Sequence, residues 1–304
     1  MRFLQEIKFC VAKSENCEDN IIQAHSISKK FLRKIAKNGR VISIAPSSGD
    51  FEEIGIRQAS TFRGFCGYHD KELFKCFEDH NFDFTNPEHI EKLSLRTLSK
   101  EYLLKMNCIN SQAEKFDTHH NPSFIDVGSC FAYYRLEYYK NLLLTSIWQK
   151  KYNVLDSVSI IFNDSLHCLA SGAFFLENDI NHEPVNLLQE KCSLKHLDPI
   201  ILNLIPLNND TIVTISFLKN NKTANTLLVK ELPLMNKVQQ KELISKLIFL
   251  YTENFYLSTE IYKNKLKPVK TKLVKHFHNY FNLNKKFDVF DEDSELKNLN
   301  FFDS

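Results

Sequence analysis

Four residues limit what the start of this chain can become. Cys66-Gly67-Tyr68-His69 sets a thiol and an imidazole three positions apart, and Cys10 and Cys17 supply two thiols upstream. Zinc takes S and N donors of this kind tetrahedrally, commonly as two pairs separated by a longer insert. Residues 1 to about 90 carry few long periodic segments, and a region with so small a core needs a metal or a partner to hold it. Glycines at 64 and 67 allow the backbone to turn sharply around an ion. A helix is expected from about Asp70 through Leu73 and Phe74 toward Phe77, which puts the tight pair at its opening. A ligand pair in a loop, followed much later by a pair opening a helix, is the layout of a treble-clef zinc finger. The six residues between Cys10 and Cys17 exceed the usual two to four, and His25 stands as an alternative ligand to either cysteine.

The remaining sequence reads as an α+β chain with an antiparallel sheet. At 304 residues, 43% hydrophobic and 25% charged, it has the length for one large domain or two ordinary ones. No charge-free apolar run reaches the roughly 18 residues of a membrane span. Glu6 and Lys8 break the apolar N-terminus, so no signal peptide is read and a cytoplasmic protein is expected. Cysteines in that compartment are not expected to form disulfides, and Cys108, Cys130, Cys168 and Cys192 read as single buried thiols. Apolar spacing predicts helices over Lys29–Lys37, Leu93–Met106, Cys130–Gln149, Lys237–Phe255 and Pro268–Phe281. The polar stretch Asn110–Pro122 reads as a loop. Strands are expected at Val158–Phe162, Leu169–Leu176, Ile200–Leu207, Thr211–Leu218 and Thr226–Leu232, the third and fourth forming a hairpin across Asn208–Asp210. This divides the chain into a zinc-binding module over 1–90, an α+β domain over 91–287, and an acidic, mobile tail over 288–304.

The strings Ala24-His25-Ser26-Ile27-Ser28, Ala59-Ser60-Thr61-Phe62 and Phe65-Cys66-Gly67-Tyr68-His69-Asp70 resemble an HNH-type treble-clef module. More closely, they resemble a set of bacterial proteins with an AHSI…TFxGFCxxHD pattern near the N-terminus. The resemblance covers about the first quarter of the chain. It implies action on nucleic acid, by binding or by metal-dependent phosphodiester cleavage, and suits a role in defence against foreign DNA. In such nucleases a histidine on the first hairpin activates water while a divalent ion stabilises the leaving group. His25 matches that base. Asp70 falls where the family has its last histidine, and an aspartate binds magnesium or manganese. Two positions depart from the pattern: Ala24 stands where a metal-binding residue is usual, and Thr61 near the central asparagine.

With a net charge of +2 the chain has no global field for DNA or RNA, so any contact must be local. Lys29, Lys30, Arg33, Lys34, Lys37 and Arg40 crowd one short helix and its exit, suited either to phosphates or to a solvated helix face. The later run Lys263–Lys275 alternates with Val269, Leu273 and Phe277 and reads as an amphipathic helix that packs. Gly-rich phosphate loops, G-x-S-x-G elbows and H-E-x-x-H motifs are absent from the sequence. His119-His120 in the polar stretch reads as a chance pair. The alternative to a role on nucleic acid is a zinc-stabilised scaffold whose C-terminal domain binds a protein or small ligand.

Overall fold

The computed structural model describes residues 7–45, 48–79, 82–119, 127–163, 166–176, 178–183, 197, 199–219, 228, 230–281, 288–291 and 296–303. It is a mixed α+β fold in which both sheets are built from antiparallel pairs. Two compact units emerge, and the boundary expected at residue 90 is not where they divide. One unit comprises Met1–Ser26, Thr61–Asp156 and Asn186–Leu197; the other comprises Ile27–Ser60, Ser157–Val185 and Asp198–Ser304. Strand pairing explains the difference, because residues 40–55 supply two strands of the second unit's sheet rather than folding with the flanking cysteines.

In the first unit, β1 (Ile21–His25) pairs antiparallel with β4 (Thr61–Cys66), from Ile21 opposite Cys66 to His25 opposite Thr61, with a bulge between Ile22 and Ala24. β4 runs directly into α2 (Gly67–Glu78), whose N-cap is Cys66. The inner face of α2 and β4 is aromatic: Phe65 meets Phe74 edge-on at 5.1 Å and Phe62 at 5.8 Å. Two long helices complete the unit. α3 (Pro87–His119) starts at a proline, with Asn86 Oδ1 accepting from the Glu88 N–H at 2.9 Å, and α4 (Val127–Trp148) follows. α3 continues through the stretch read as a loop from Asn110 as far as His119. Gln112, Ala113, Glu114 and Lys115 are good helix formers, and polarity alone does not end a helix.

The second unit is built on a seven-stranded sheet of order β3-β2-β9-β6-β7-β8-β5. Its strands are β2 (Arg40–Ile44), β3 (Phe51–Gly55), β5 (Leu155–Phe162), β6 (Cys168–Phe174), β7 (Ile200–Leu207), β8 (Asp210–Leu218) and β9 (Phe255–Leu257). The hairpin read at 200–218 is present, with Leu207 opposite Asp210 and Asn208 at φ 56°, a left-handed conformation that asparagine tolerates. The helices are α1 (Lys29–Ile35), α5 (Lys237–Tyr251) and α6 (Lys270–Phe281). α5 opens with a capping box between Asn236 and Gln239. A helical stretch from Thr259 to Val269, partly π and partly 3-10, leads into α6. Leu273 on α6 is buried and Phe277 packs against the core, as the amphipathic reading expects, whereas Val269, read on the same face, precedes the helix and is exposed. Of the strand expected over Thr226–Leu232, the described residues are not extended: Leu228, Lys230 and Glu231 are helical, and Leu232–Leu234 is a 3-10 turn. Proline at 233 cannot donate to a ladder.

The described residues of the segment read as an acidic tail, 288–291 and 296–303, bury apolar side chains. Val289, Phe290, Leu296 and Leu299 are buried, and Phe301 and Phe302 are fully so, stacked on Phe255 at 5.7 Å and set against Phe162 at 4.7 Å. Apolar side chains spaced between the acidic ones supply the anchor. Phe302→Leu is expected to lower stability by about 1–2 kcal/mol, read as a shift in urea midpoint. An unchanged midpoint would mean that this segment does not hold the sheet. Of the lone cysteines, Cys168 is fully buried, Cys130 half-buried and Cys108 exposed. Cys192 and His120 lie outside the described residues, as do the side chains of Asp117 and His119.

Candidate metal centre

Cys10, Cys17, Cys66 and His69 converge, one ligand atom from each lying within 4.8 Å of every other. Local structure explains how. Cys66 ends β4 and caps α2, so its Sγ lies over the first turn and accepts from the His69 N–H at 3.4 Å; His69 is three residues along the same turn. The loop with the other two cysteines is tied to β4 by the Val11 N–H donating to the Gly64 carbonyl at 2.9 Å. At its far end Glu18 Oε2 accepts from the Tyr68 N–H at 3.1 Å. A Cβ at residue 67 would stand 3.0 Å from that same oxygen, so a larger residue there would have to displace the Glu18 side chain.

The donor set fits a metal that prefers soft ligands. Cys66 Sγ lies 3.8 Å from Cys10 Sγ and 3.9 Å from Cys17 Sγ. Metal–sulfur bonds of about 2.3 Å in a regular tetrahedron require edges of about 3.8 Å. His69 Nδ1 lies 3.3 Å from Cys10 Sγ and 3.1 Å from Cys66 Sγ, so Nδ1 is the nitrogen that faces the thiols and would meet an ion among them. Its other nitrogen, Nε2, sits 2.8 Å from Ser14 Oγ. With Nδ1 on a metal, Nε2 carries the proton and donates it to Ser14, which fixes tautomer and ring orientation. Cys10, Cys66 and His69 are buried, and Cys17 is half-exposed.

Electrostatics point the same way. Burial pushes the Cys10 thiol up to about 12, so an ionised Cys10 needs a cation beside it. At Cys66 burial also opposes ionisation. Hydrogen bonds from the backbone of His69 and Glu18 and from the Cys10 and Cys17 thiols outweigh it, and the group ends below its ordinary value. Burial lowers His69, against the opposing charge of Glu18, and keeps the ring in the neutral form that a metal takes. His25 is not part of the tetrad, and among the described residues this is the single group of three or more His, Cys, Asp and Glu able to hold a metal ion.

A second cluster stands on the other side of His69 in sequence. Asp70, in the first turn of α2, lies 3.4 Å from Arg96 Nη2, and Glu78 at the end of α2 lies 2.7 Å from Arg96 Nη1. Arg96, from α3, is 2% exposed, and its guanidinium carbon lies 4.0 Å over the Phe74 ring. Burial raises the Asp70 carboxyl; Arg96 opposes this, Glu78 adds to it, and His25 is close enough to lower it. The charge of His25 thus reaches Asp70, but among the described contacts none joins the two side chains. The Asp70 carboxylate, however, is engaged by a buried arginine that no motif pointed to. Ser14 was equally unmarked; a serine inside the ligand loop is the one signal that would have found it.

The basic residues fall in the second unit. Lys30, Arg33, Lys34 and Lys37 are exposed on α1 and its exit, and Lys29 is half-buried. Arg40 opens β2 and is paired with Glu53 at 3.2 Å. No helix among the described residues is long and apolar enough to cross a membrane. No family model, curated protein or solved structure matches the chain.

Proposed function

We propose that Cys10, Cys17, Cys66 and His69 hold zinc, that β1, β4 and α2 form a treble clef of the HNH type around it, and that the protein acts on nucleic acid. The observation that carries this is the convergence of two cysteines from a loop with a cysteine and a histidine that open a helix. A zinc ion with four protein ligands has no open position. It cross-links the ligand loop to α2 and leaves the chemistry to other residues. In this reading His25, at the end of β1, is the general base that takes a proton from water near neutral pH. A second divalent ion, magnesium or manganese, would supply charge at the phosphodiester, with Asp70 as its protein ligand. The exposed cations of α1 would engage phosphates.

Two observations favour a non-catalytic reading. Arg96 already neutralises Asp70, and Ala24 offers no ligand. A zinc-stabilised module that binds without cutting is then the second reading. Plasmid and RNA cleavage with Mg²⁺ or Mn²⁺ separates the two, provided zinc content is measured alongside. Wild type is expected to cut, and His25→Ala to lose about 10²–10⁴-fold of the rate while retaining zinc. No cleavage by wild type with either ion would favour the binding module. Zinc lost from the variant would make His25 a structural residue.

A further inference from the structure

The second unit carries a cleft of about 420 Å³, walled by three separate stretches of chain. Lys34 and Lys37 come from the end of α1, His167 from the turn before β6, and Ser258, Lys263 and Asn264 from the segment after β9. The three lysines are exposed, and none has a side-chain partner among the described residues. Glu260 is the one carboxylate in the described lining. A lysine run on one helix face is ordinarily a solvated surface. Here Lys263 reaches the same cleft from an element far along the chain, so the clustering is made by the fold and not by local sequence. Ammonium groups gathered around one concave volume raise the potential in it and attract an anion.

The neutral lining is suited to an oxyanion. Ser258 Oγ accepts from the Ile261 N–H at 3.2 Å and lies 3.2 Å from His167 Nδ1, while the Ser258 N–H donates to the His167 carbonyl at 2.7 Å. These contacts hold the imidazole in place. When the Ser258 hydroxyl donates its hydrogen bond to Nδ1, Nε2 carries the ring proton and is a donor, and a protonated ring offers one as well. Nε2 has no partner among the described residues.

We propose that this cleft binds a phosphate group, and that the phosphate belongs to a nucleic-acid strand; the second clause rests on the function proposed above. Point-charge ammoniums converging from several directions suit a tetrahedral, multiply charged group, whereas planar carboxylate recognition favours the arginine fork. The volume exceeds one phosphate and leaves room for an adjoining nucleoside. Arg33 stands beside Lys34 on α1, so cationic surface continues past the cleft for a strand to follow.

The test is fluorescence anisotropy with labelled single-stranded and duplex oligonucleotides, with inorganic phosphate and a nucleoside monophosphate as competitors and as calorimetric ligands. Lys263→Glu and Lys34→Glu are each expected to weaken oligonucleotide binding about tenfold at moderate salt and to reduce its salt dependence. Lys263→Gln should show a smaller loss, and circular dichroism should show both Lys263 variants folded, since the side chain is exposed. Wild-type binding by Lys263→Glu, with loss in Arg33→Glu and Lys34→Glu, would overturn the cleft and leave the nucleic-acid reading intact. Phosphate or nucleotide binding that needs Lys263, without oligonucleotide binding, would keep the phosphate site and overturn the strand as its source. Binding of neither ligand by wild type would overturn both.

Discussion

Cys66→Ser is expected to strip the protein of its metal and unfold the segment holding β1, β4 and α2. Wild type should carry about one zinc ion per chain and the variant close to none. Cys66 is the most connected ligand: fully buried, with Sγ within 4 Å of both other thiols and of the His69 ring. Zinc-finger peptides draw about 10–16 kcal/mol of apparent binding energy from such a site, comparable to the whole stability of an ordinary domain. Serine is the informative replacement because Cys66 also caps α2. A serine oxygen caps a helix at least as well as sulfur, so the cap survives while the thiolate is lost. Trp148, the only tryptophan of the chain, lies edge-on to His69 with ring centroids 5.9 Å apart. Its emission should therefore change both on chelation of wild type and in the variant. Full metal content and an unaltered thermal transition in Cys66→Ser would sink the metal centre.

The next largest effect is expected at Arg96. Arg96→Leu keeps an apolar surface for Phe74 but leaves Asp70 and Glu78 facing each other without their shared counter-charge. Breaking a buried ion pair from one side costs about 3–5 kcal/mol. The lower end applies, because the two carboxylates are 19% and 30% exposed and water screens part of the repulsion. Arg96→Lys should recover only part of the loss, since one ammonium cannot take two carboxylates as a fork does. Neutralising both partners in the Leu background, as Asp70→Asn with Glu78→Gln, should restore much of the stability. If urea midpoints of Arg96→Leu and wild type coincide, the arginine is not what fastens α2 to α3.

What could be read from sequence, and what could not, divides by distance along the chain. Cys66 and His69 lie on one helical turn, and the Ile200–Leu218 hairpin closes through two residues, so local spacing was enough for both. α3 was legible only in part, because its apolar periodicity ends near Met106 while the helix runs on through polar residues to His119. β2 was missed although Val41, Ile42 and Ile44 are all buried. Its burial pattern does not alternate, so the period-two signal of a half-buried strand is missing, and one of its two neighbours, β9, is three residues long and far downstream. Burial near the C-terminus was illegible for a related reason: net acidity hid Phe301 and Phe302, whose rings are fully buried. Arg96 offered no signal at all, since an arginine among helical leucines reads as solvent-facing until Asp70 and Glu78 are seen beside it.

The pairing of β2 also sets a schedule for synthesis. All four candidate ligands have been synthesised by residue 69, so a metal could be captured early. β2 and β3 can likewise zip together at once. The other edge of β2 must wait for β9, because Ile42 pairs with Leu257 and Ser43 Oγ donates to the Phe255 carbonyl 212 residues later. At roughly 5–20 residues per second that is a delay of about 10–40 s. Through that interval a nascent chain displays an apolar strand with an unsatisfied hydrogen-bonding edge, the kind of surface that recruits chaperones or seeds aggregation. Yield in a translation system should therefore depend on elongation rate and chaperone supply more steeply than the finished protein's stability would suggest.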